Sequence, residues 1–267
     1  MITHFFSDLD DILAHMVRPS NAQNAIEVGN GFYITKPNLD ALTELQNSGV
    51  RLGIVTTRRY STAQVAFNAI PHRYAVADHG TIILIDGQPD REWLEALKPY
   101  IGNPLTREKQ GLLWDYEQEV RTELARQGFE VYSDDRFGSF RVVPPPPFTT
   151  LELQQLVQII KPEGIDAIIV RGFVDFFPSM AGKANSVRYI LGKEEATNFN
   201  NVAYAGDDVS DVAALVQFYP ITTKDAGLGA LEVVLARGGY VSQLAAHEAT
   251  ADIIAHVEAM SKQDMRP

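Results

Sequence analysis

The stretch His4-Phe5-Phe6-Ser7-Asp8-Leu9-Asp10-Asp11-Ile12-Leu13 runs a short apolar strand directly into three carboxylates. Aspartate is depleted from strands and is seldom buried without a partner, so carboxylates at the carboxyl end of a strand suggest a cation site. Asp8 and Asp10 are two residues apart, and together they can give one side chain and one main-chain carbonyl to the same metal ion. Oxygen ligands of this kind suit Mg²⁺. An acidic turn that merely ends a strand is the alternative.

Three further pieces of sequence have the same character. Thr56 ends an apolar strand, Lys183 follows Gly182 at the start of a helix, and Gly206-Asp207-Asp208-Val209-Ser210-Asp211 follows another apolar strand. Strand-helix-strand units give parallel pairs joined by right-handed crossovers, so the carboxyl ends of such strands meet at one edge of a sheet. We therefore expect Asp8 and Thr56 to be neighbours.

Length and composition limit the class of protein. The 267 residues, of which 45% are hydrophobic and 21% charged, fit a globular chain with room for an inserted domain. The absence of cysteine excludes disulfides, thiolate nucleophiles and cysteine-ligated metals. A formal net charge of -11, without any Lys/Arg-rich run, argues against nucleic acid or an anionic membrane as a partner. Because no targeting segment or long apolar segment is evident, we expect a cytoplasmic protein.

The order of predicted elements indicates a core with an insertion. Residues 1–86 and 175–267 alternate strands and helices, which predicts an α/β core built on a doubly wound parallel sheet with its site at the carboxyl edge. Residues 87–174 read instead as helix, helix, strand, strand, helix, strand, which predicts an inserted α+β domain. Residues 26–34, centred on Gly29-Asn30-Gly31, predict a β-hairpin that lies next to the first strand's end as a flap.

The carboxylates suggest phosphoryl transfer. Asp8 is the candidate nucleophile, because a carboxylate next to Mg²⁺ can attack phosphorus and divide one hard hydrolysis into two easier steps. Asp10 is the candidate general acid and base. Asp207 and Asp211 are four residues apart at the start of a helix and can face one metal ion, although the helix dipole also favours acidic residues there.

Two side chains are candidates for holding the phosphate. The hydroxyl of Thr56 can donate to a phosphate oxygen, although a helix cap is an equally open interpretation. Lys183 is a lone cation at a helix start, where the helix dipole disfavours it. Arg58 is predicted to be a solvated surface residue, and His79 is predicted to support a turn.

The order and spacing of these pieces resemble the haloacid dehalogenase (HAD) superfamily of phosphatases over essentially the whole chain. The insertion is similar to that of the sucrose-phosphate, trehalose-phosphate and Cof-type branch, with substrate specificity in the inserted cap. The resemblance implies Asp8 as nucleophile and Asp10 as acid and base. It implies metal ligands at Asp8, Asp10, Asp207 and Asp211, and phosphate-binding residues at Thr56, Lys183 and Leu9.

The chain departs from the family pattern at two positions after the aspartate pair. Gly and Thr are usual there, whereas this chain has Asp11 and Ile12, and Ile12 has no hydroxyl to brace the nucleophile. We predict a Mg²⁺-dependent phosphatase that acts on a small phosphorylated metabolite, with a sugar phosphate as the favoured class. A phosphomutase with the same aspartyl-phosphate and a non-catalytic protein that binds a phosphorylated ligand are the alternatives.

Overall fold

The computed structural model describes residues 1–104, 106, 108–133, 136–196 and 198–263, without the side chain of Ala22. The described strands are β1 (His4–Asp8), β2 (Ala25–Glu27), β3 (Tyr33–Thr35), β4 (Arg51–Val55), β5 (Tyr74–Ala77), β6 (Ile82–Ile85), β7 (Gln88–Pro89), β8 (Glu130–Tyr132), β9 (Phe140–Val143), β10 (Ile165–Val170), β11 (Phe173–Pro178), β12 (Val202–Ala205), β13 (Tyr219–Thr223) and β14 (Tyr240–Ser242). The described helices are α1 (Lys36–Asn47), α2 (Tyr60–Ala69), α3 (Arg91–Ile101), α4 (Leu112–Ala125), α5 (Thr150–Ile160), α6 (Lys183–Lys193), α7 (Val212–Gln217), α8 (Leu228–Ala236) and α9 (Ala246–Lys262).

The larger sheet confirms the predicted doubly wound α/β core. Its strand order is β14-β13-β12-β1-β4-β5-β6-β7, and the strands from β14 to β5 run parallel. β6 and β7 add an antiparallel edge that the sequence did not predict. The reason lies in the short turn Asp78–Gly80 between β5 and β6, since a parallel pair needs a crossover of a dozen or more residues.

Both faces of this sheet are covered, which explains why its strands read as continuous apolar runs. All five residues of β1 are buried. Phe5 and Phe6, whose side chains alternate along the strand, belong to two different apolar clusters. The sheet thus forms the middle layer between two cores.

The smaller sheet, of order β10-β11-β9-β8, is antiparallel throughout its described strands. Its strands lie within or just beyond residues 87–174, as expected of an α+β insertion. Strand pairing assigns all of β11 to this sheet and β7 to the larger one, and the domain limits 86/87 and 174/175 stay a prediction.

Local predictions succeeded where the pattern was periodic. The hairpin is confirmed, with Ile26 opposite Ile34. For the second helix of the insertion, the amphipathic pattern predicts residues 107–127. The helix begins at Leu112, because Gly111 has a φ of 90° that a helix does not allow; Arg107 lies outside the described residues. Helix α8 was not predicted, because its exposed face is also apolar and Leu228 is 78% exposed.

The topology brings β1 to the centre of the larger sheet. The chain adds β4 and β5 on one side of β1 and later returns to add β12, β13 and β14 on the other. The carboxyl end of β1 therefore lies at the switch point, where ligands bind in open α/β sheets. Among the described residues, no helix has both the length and the apolar character that a bilayer crossing requires.

Candidate active site

Asp8 ends β1 with its side chain buried and fixed on both oxygens. The main-chain N–H of Leu9 donates to Oδ1 at 2.7 Å, and Nζ of Lys183 lies 2.8 Å from Oδ2. Burial raises the pKa of Asp8 well above its ordinary value; Lys183 opposes this effect, and the nearby Asp211 adds to it. The carboxylate is thus held in one orientation and in an environment that penalises unbalanced negative charge.

Lys183 is a buried cation between two carboxylates. Its Nζ lies 2.8 Å from Asp8 Oδ2 and 2.8 Å from Asp211 Oδ1, and the side chain is 2% exposed. Burial alone would lower the pKa of Lys183, but the charges of Asp211 and Asp8 raise it above its ordinary value. Lys183 is therefore a permanent positive charge at the end of β1, despite its position at the N-terminus of α6.

Three carboxylates form a group that fits a hard cation. Asp8, Asp207 and Asp211 each offer an oxygen within 4.8 Å of the others. Asp211 is fully buried and accepts a hydrogen bond from the Tyr204 hydroxyl at 2.6 Å. Burial, followed by the charge of Asp211, raises the pKa of Asp207 to about 8. An all-oxygen donor set with excess negative charge is the kind that binds Mg²⁺.

The sequence around this group explains its shape. A Cβ on Gly206 would lie 2.4 Å from the Cβ of Asp211, so only glycine allows this close approach. Asp208 then caps a single helical turn, Val209–Asp211, in which the main-chain N–H of Asp208 donates to Asp211 at 3.3 Å. The same carboxylate therefore serves both as a turn element and as a member of the acidic group.

The carboxylate of Asp10 lies outside this group and pairs with Arg58. Nε and Nη2 of Arg58 both donate to it, the former at 2.9 Å. Nη1 donates to the carbonyl of Val28 at 2.9 Å, and the guanidinium carbon lies 4.9 Å from the centre of the Phe32 ring. The expectation of a solvated Arg58 is wrong, because the residue is 8% exposed and joins Asp10 to the hairpin.

The predicted phosphate-binding residues have mixed surroundings. Thr56 is 1% exposed, and its hydroxyl accepts the N–H of Arg58 at 3.1 Å, so it stabilises the turn after β4; the adjacent Thr57 lines the cavity at Asp8. The N–H of Leu9 points to Asp8, and its side chain is fully buried. Two members of the predicted set therefore contact Asp8 directly, Lys183 through its ammonium group and Leu9 through its main-chain N–H.

The two unusual residues after Asp10 have different structural roles. Asp11 has a φ of 59°, the left-handed conformation for which glycine is favoured and which aspartate tolerates. Ile12 is fully buried within an apolar cluster that also contains Leu9 and Leu13. Its carbonyl accepts the Thr250 hydroxyl at 2.6 Å. Ile12 therefore packs the core beneath the loop.

A cavity of about 350 Å³ opens on these residues. Carboxylates of the core line part of it. The α+β insertion with the smaller sheet, called the smaller domain from here on, contributes Arg136, Arg141, Arg171 and Phe173. These arginines were not among the site residues predicted from the sequence. Arg171-Gly172 between two strands is a turn pattern, and in β9 the side chain of Arg141 lies on the opposite face of the strand from its buried neighbours. Neither pattern indicates a ligand.

No family model and no curated protein matches the sequence. Solved structures do match over nearly the full length. A sucrose-phosphatase from Synechocystis sp. PCC6803, in complex with sucrose and phosphate, has a TM-score of 0.67 and 17% identity, and the match covers 97% of this chain and 99% of that one. A HAD-superfamily phosphatase from Bacteroides thetaiotaomicron has a TM-score of 0.69 and 13% identity, with 98% and 96% covered.

A trehalose-6-phosphate phosphatase related protein has a TM-score of 0.55 and 15% identity over 97% of this chain and 99% of that one. At these identities the likeness concerns the fold. The matches span both the parallel core and the α+β insertion of this chain. The chain therefore shares the fold of these solved phosphatases over nearly its whole length.

Proposed function

We propose that this chain is a Mg²⁺-dependent phosphatase that hydrolyses a small phosphate ester through an aspartyl-phosphate on Asp8. The observation that supports the proposal best is the environment of Asp8. Its carboxylate lies at the switch point of the sheet, between Leu9 and Lys183, next to Asp207 and Asp211 and at the wall of a cavity. Core packing alone gives no reason for this arrangement.

The proposed reaction has two steps. In the first, Asp8 attacks phosphorus, the bond from phosphorus to the leaving oxygen breaks, and Asp10 gives a proton to that oxygen. In the second, Asp10 takes a proton from a water molecule that attacks the phosphorus, and the bond to Asp8 breaks. Arg58, which holds both oxygens of Asp10, positions this carboxylate beside the hairpin.

The metal would be held by the carboxylates of Asp8, Asp207 and Asp211, together with the carbonyl of Asp10 that the family resemblance implies. Bound there, Mg²⁺ would offset the negative charge of the carboxylates and of the transferred phosphoryl group. Lys183 supplies a further fixed positive charge between Asp8 and Asp211.

A sugar phosphate is the first substrate class to test. The similar sucrose-phosphatase was solved with sucrose and phosphate, and a cavity of about 350 Å³ is within the size range of small-molecule sites. The inserted domain contributes to the wall of this cavity, so we assign the choice of substrate to it.

The test is phosphate release from p-nitrophenyl phosphate and a panel of sugar phosphates, with Mg²⁺ or with EDTA. The wild type should release phosphate only when Mg²⁺ is present. Asp8→Asn should release none under either condition, because an amide is neither a nucleophile nor an anionic ligand. Asp115→Asn, at an exposed position of α4, is the matched control and should behave as wild type. Comparable turnover by Asp8→Asn or in EDTA would contradict the proposal.

A further inference from the structure

The smaller domain presents three arginines to the cavity that contains Asp8. Arg136 lies between β8 and β9, Arg141 lies in β9, and Arg171 lies at the turn between β10 and β11. In the described part of the cavity wall, all carboxylates come from the core, and the smaller domain adds only positive charge. The core also contributes Arg58 and Arg59 to this wall, so its side of the cavity carries both signs of charge.

Arg141 is held rigidly from behind. Its Nε and Nη2 donate to the two oxygens of Asp175, each at 2.7 Å, and its guanidinium carbon lies 3.4 Å from the centre of the Phe173 ring. Asp175 is 1% exposed, and Nε2 of His79 lies 3.1 Å from its Oδ2. A buried carboxylate thus fixes both the position and the plane of the guanidinium at the cavity wall.

Arg136 belongs to a loop that is anchored to the core. Oδ2 of Asp78 accepts the main-chain N–H groups of Phe137 at 3.0 Å and Gly138 at 2.9 Å, and Oδ1 accepts the Ser139 hydroxyl at 2.8 Å. Nη1 of Arg136 donates to the Ser139 hydroxyl oxygen at 3.0 Å. The loop therefore holds Arg136 at a defined place instead of leaving it on a mobile tip.

Arg171 occupies the tip of a tight turn. Arg171 and Gly172 have φ values of 49° and 85°, which is the conformation of a two-residue hairpin turn. The side chain is 70% exposed, and its Nη2 lies 3.7 Å from Oδ2 of Asp11. The turn thus brings a third guanidinium from the smaller domain close to Asp11, in the loop that follows β1.

The chemistry of arginine limits what such a wall can recognise. A guanidinium has five N–H donors and no acceptor, whereas a sugar hydroxyl both donates and accepts. Carboxylate and phosphate groups accept only, so they suit guanidinium N–H donors, although Nε and Nη2 of Arg141 already pair with Asp175. The phosphate that is cleaved already has Lys183 and the proposed metal site beside Asp8. The three arginines therefore suit a second acceptor-only group.

We propose that Arg136, Arg141 and Arg171 form a second anion site, which binds a carboxylate or a second phosphate of the substrate. The substrate is then a phosphate ester with another negative group and not a phosphorylated neutral sugar. This inference rests on the proposed function, because it assigns the cleaved phosphate to Asp8. Alternatively, the arginines only join the smaller domain to the core.

Matched substrate pairs test the proposal and separate the two sources of the anion. 3-Phosphoglycerate and glycerol 3-phosphate differ in one carboxylate, and fructose 1,6-bisphosphate and fructose 6-phosphate differ in one phosphate. We expect kcat/KM for the doubly anionic member of one pair to be roughly ten- to a hundredfold higher, which corresponds to one charge-assisted contact. The pair with the larger ratio identifies the group.

Variants locate the site. Arg171→Gln, at an exposed position, and Arg141→Lys, which keeps the charge opposite Asp175, should each reduce this preference at least tenfold through KM. Arg126→Gln is the matched control, because Arg126 is an exposed arginine at the end of α4 in the same domain, and it should keep the preference within twofold. Melting temperatures check that the variants are folded.

Calorimetry with 3-phosphoglycerate and fructose 1,6-bisphosphate makes the outcome independent of turnover. Tighter binding of a doubly anionic ligand that is lost in Arg171→Gln supports the site even if no ester is hydrolysed, in which case only the proposed phosphatase activity fails. If p-nitrophenyl phosphate is hydrolysed but both substrate pairs give ratios near one, the phosphatase stands and the second anion site is refuted. Equal binding by wild type and both variants refutes it as well.

Discussion

The two sides of the cavity differ in how they are built. The carboxylates come from short motifs at strand ends, Asp8 after β1 and Asp207 and Asp211 after β12, and a parallel sheet brings these ends together. The arginines of the smaller domain come from a loop, a strand and a turn. The buried Asp175 pairs with Arg141, and the buried Asp78 anchors the loop that carries Arg136. The first side follows from the topology, and the second follows from individual contacts.

The comparison suggests a division of roles. If the proposed function holds, the core side of the cavity, formed by Asp8, Asp207, Asp211 and Lys183, supplies what any phosphate ester needs, namely a nucleophile, a cation and a metal site. If the second anion site holds, the cap side, formed by Arg136, Arg141 and Arg171, supplies groups that suit only some substrates. Changes on the core side should therefore abolish the reaction, and changes on the cap side should alter its selectivity or the attachment of the cap.

The largest effect is expected for Asp8→Asn. Removing the nucleophile should reduce Mg²⁺-dependent turnover by more than the ~10²–10⁴-fold that general acid-base catalysis supplies, because no other carboxylate is held by both Leu9 and Lys183 among the described residues. Steady-state phosphate release measures the loss. A loss of less than tenfold would show that Asp8 is not the nucleophile.

A smaller effect is expected for Asp10→Asn. Turnover should fall by ~10²–10⁴-fold, and the fall should be greatest on esters with poor leaving groups, because these need the proton most. Mg²⁺ affinity should change little, since the main-chain carbonyl is retained. A uniform loss over good and poor leaving groups would argue that Asp10 mainly binds Arg58 and does not transfer protons.

Gly138→Ala tests the attachment of the cap side. A Cβ at Gly138 would lie 1.8 Å from Oγ1 of Thr81, so the loop held by Asp78 must shift. We expect a loss of about 1–3 kcal/mol in the free energy of unfolding, as for overpacked cores. Gly192→Ala in α6, where a Cβ would meet open space, is the control and should be neutral or stabilising by up to about 1 kcal/mol.

In the same variant, Mg²⁺ affinity measured by calorimetry should stay within twofold of wild type. The carboxylate group at Asp8 has no contact with this loop among the described hydrogen bonds and ion pairs. Weakened metal binding in Gly138→Ala would mean that the two sides of the cavity are not independent.

The smallest effect separates packing from chemistry at Ile12. Because Ile12 is fully buried in an apolar cluster, Ile12→Thr should be less stable than Ile12→Val by about 1–3 kcal/mol, the cost of a buried hydroxyl without a partner. Chemical denaturation measures this difference. Turnover of Ile12→Thr should not exceed that of Ile12→Val; a faster threonine variant would show that a missing hydroxyl limits the enzyme.

The same comparison explains which features the sequence could predict. The core strands, the hairpin and the acidic motifs have local signals: apolar runs, the Gly29-Asn30-Gly31 turn and carboxylates directly after strands. The pairing of Arg58 with Asp10 joins residues 48 positions apart, and that of Arg141 with Asp175 joins residues 34 apart. No periodic pattern encodes such side-chain pairs.

The left-handed conformation of Asp11 illustrates the intermediate case. The sequence shows aspartate where the resembled family has glycine, and a φ of 59° explains why glycine is usual there. The neighbouring Ile12 was interpreted through the hydroxyl that it lacks. Its burial beneath the loop depends on tertiary packing, which the local sequence does not reveal. Helix α9, far along the chain, packs there, and its Thr250 hydroxyl donates to the carbonyl of Ile12.

The central claim is that Asp8 carries the phosphoryl group, and trapping this intermediate tests it most directly. Enzyme is mixed with a radiolabelled phosphate ester and Mg²⁺, quenched in acid within a single turnover, and the peptide that contains Asp8 is analysed by mass spectrometry. We predict label on Asp8 in the wild type, with more label in Asp10→Asn if hydrolysis of the intermediate is slowed, and none in EDTA or in Asp8→Asn. Turnover without any labelled enzyme, or with label on another residue, would contradict the account.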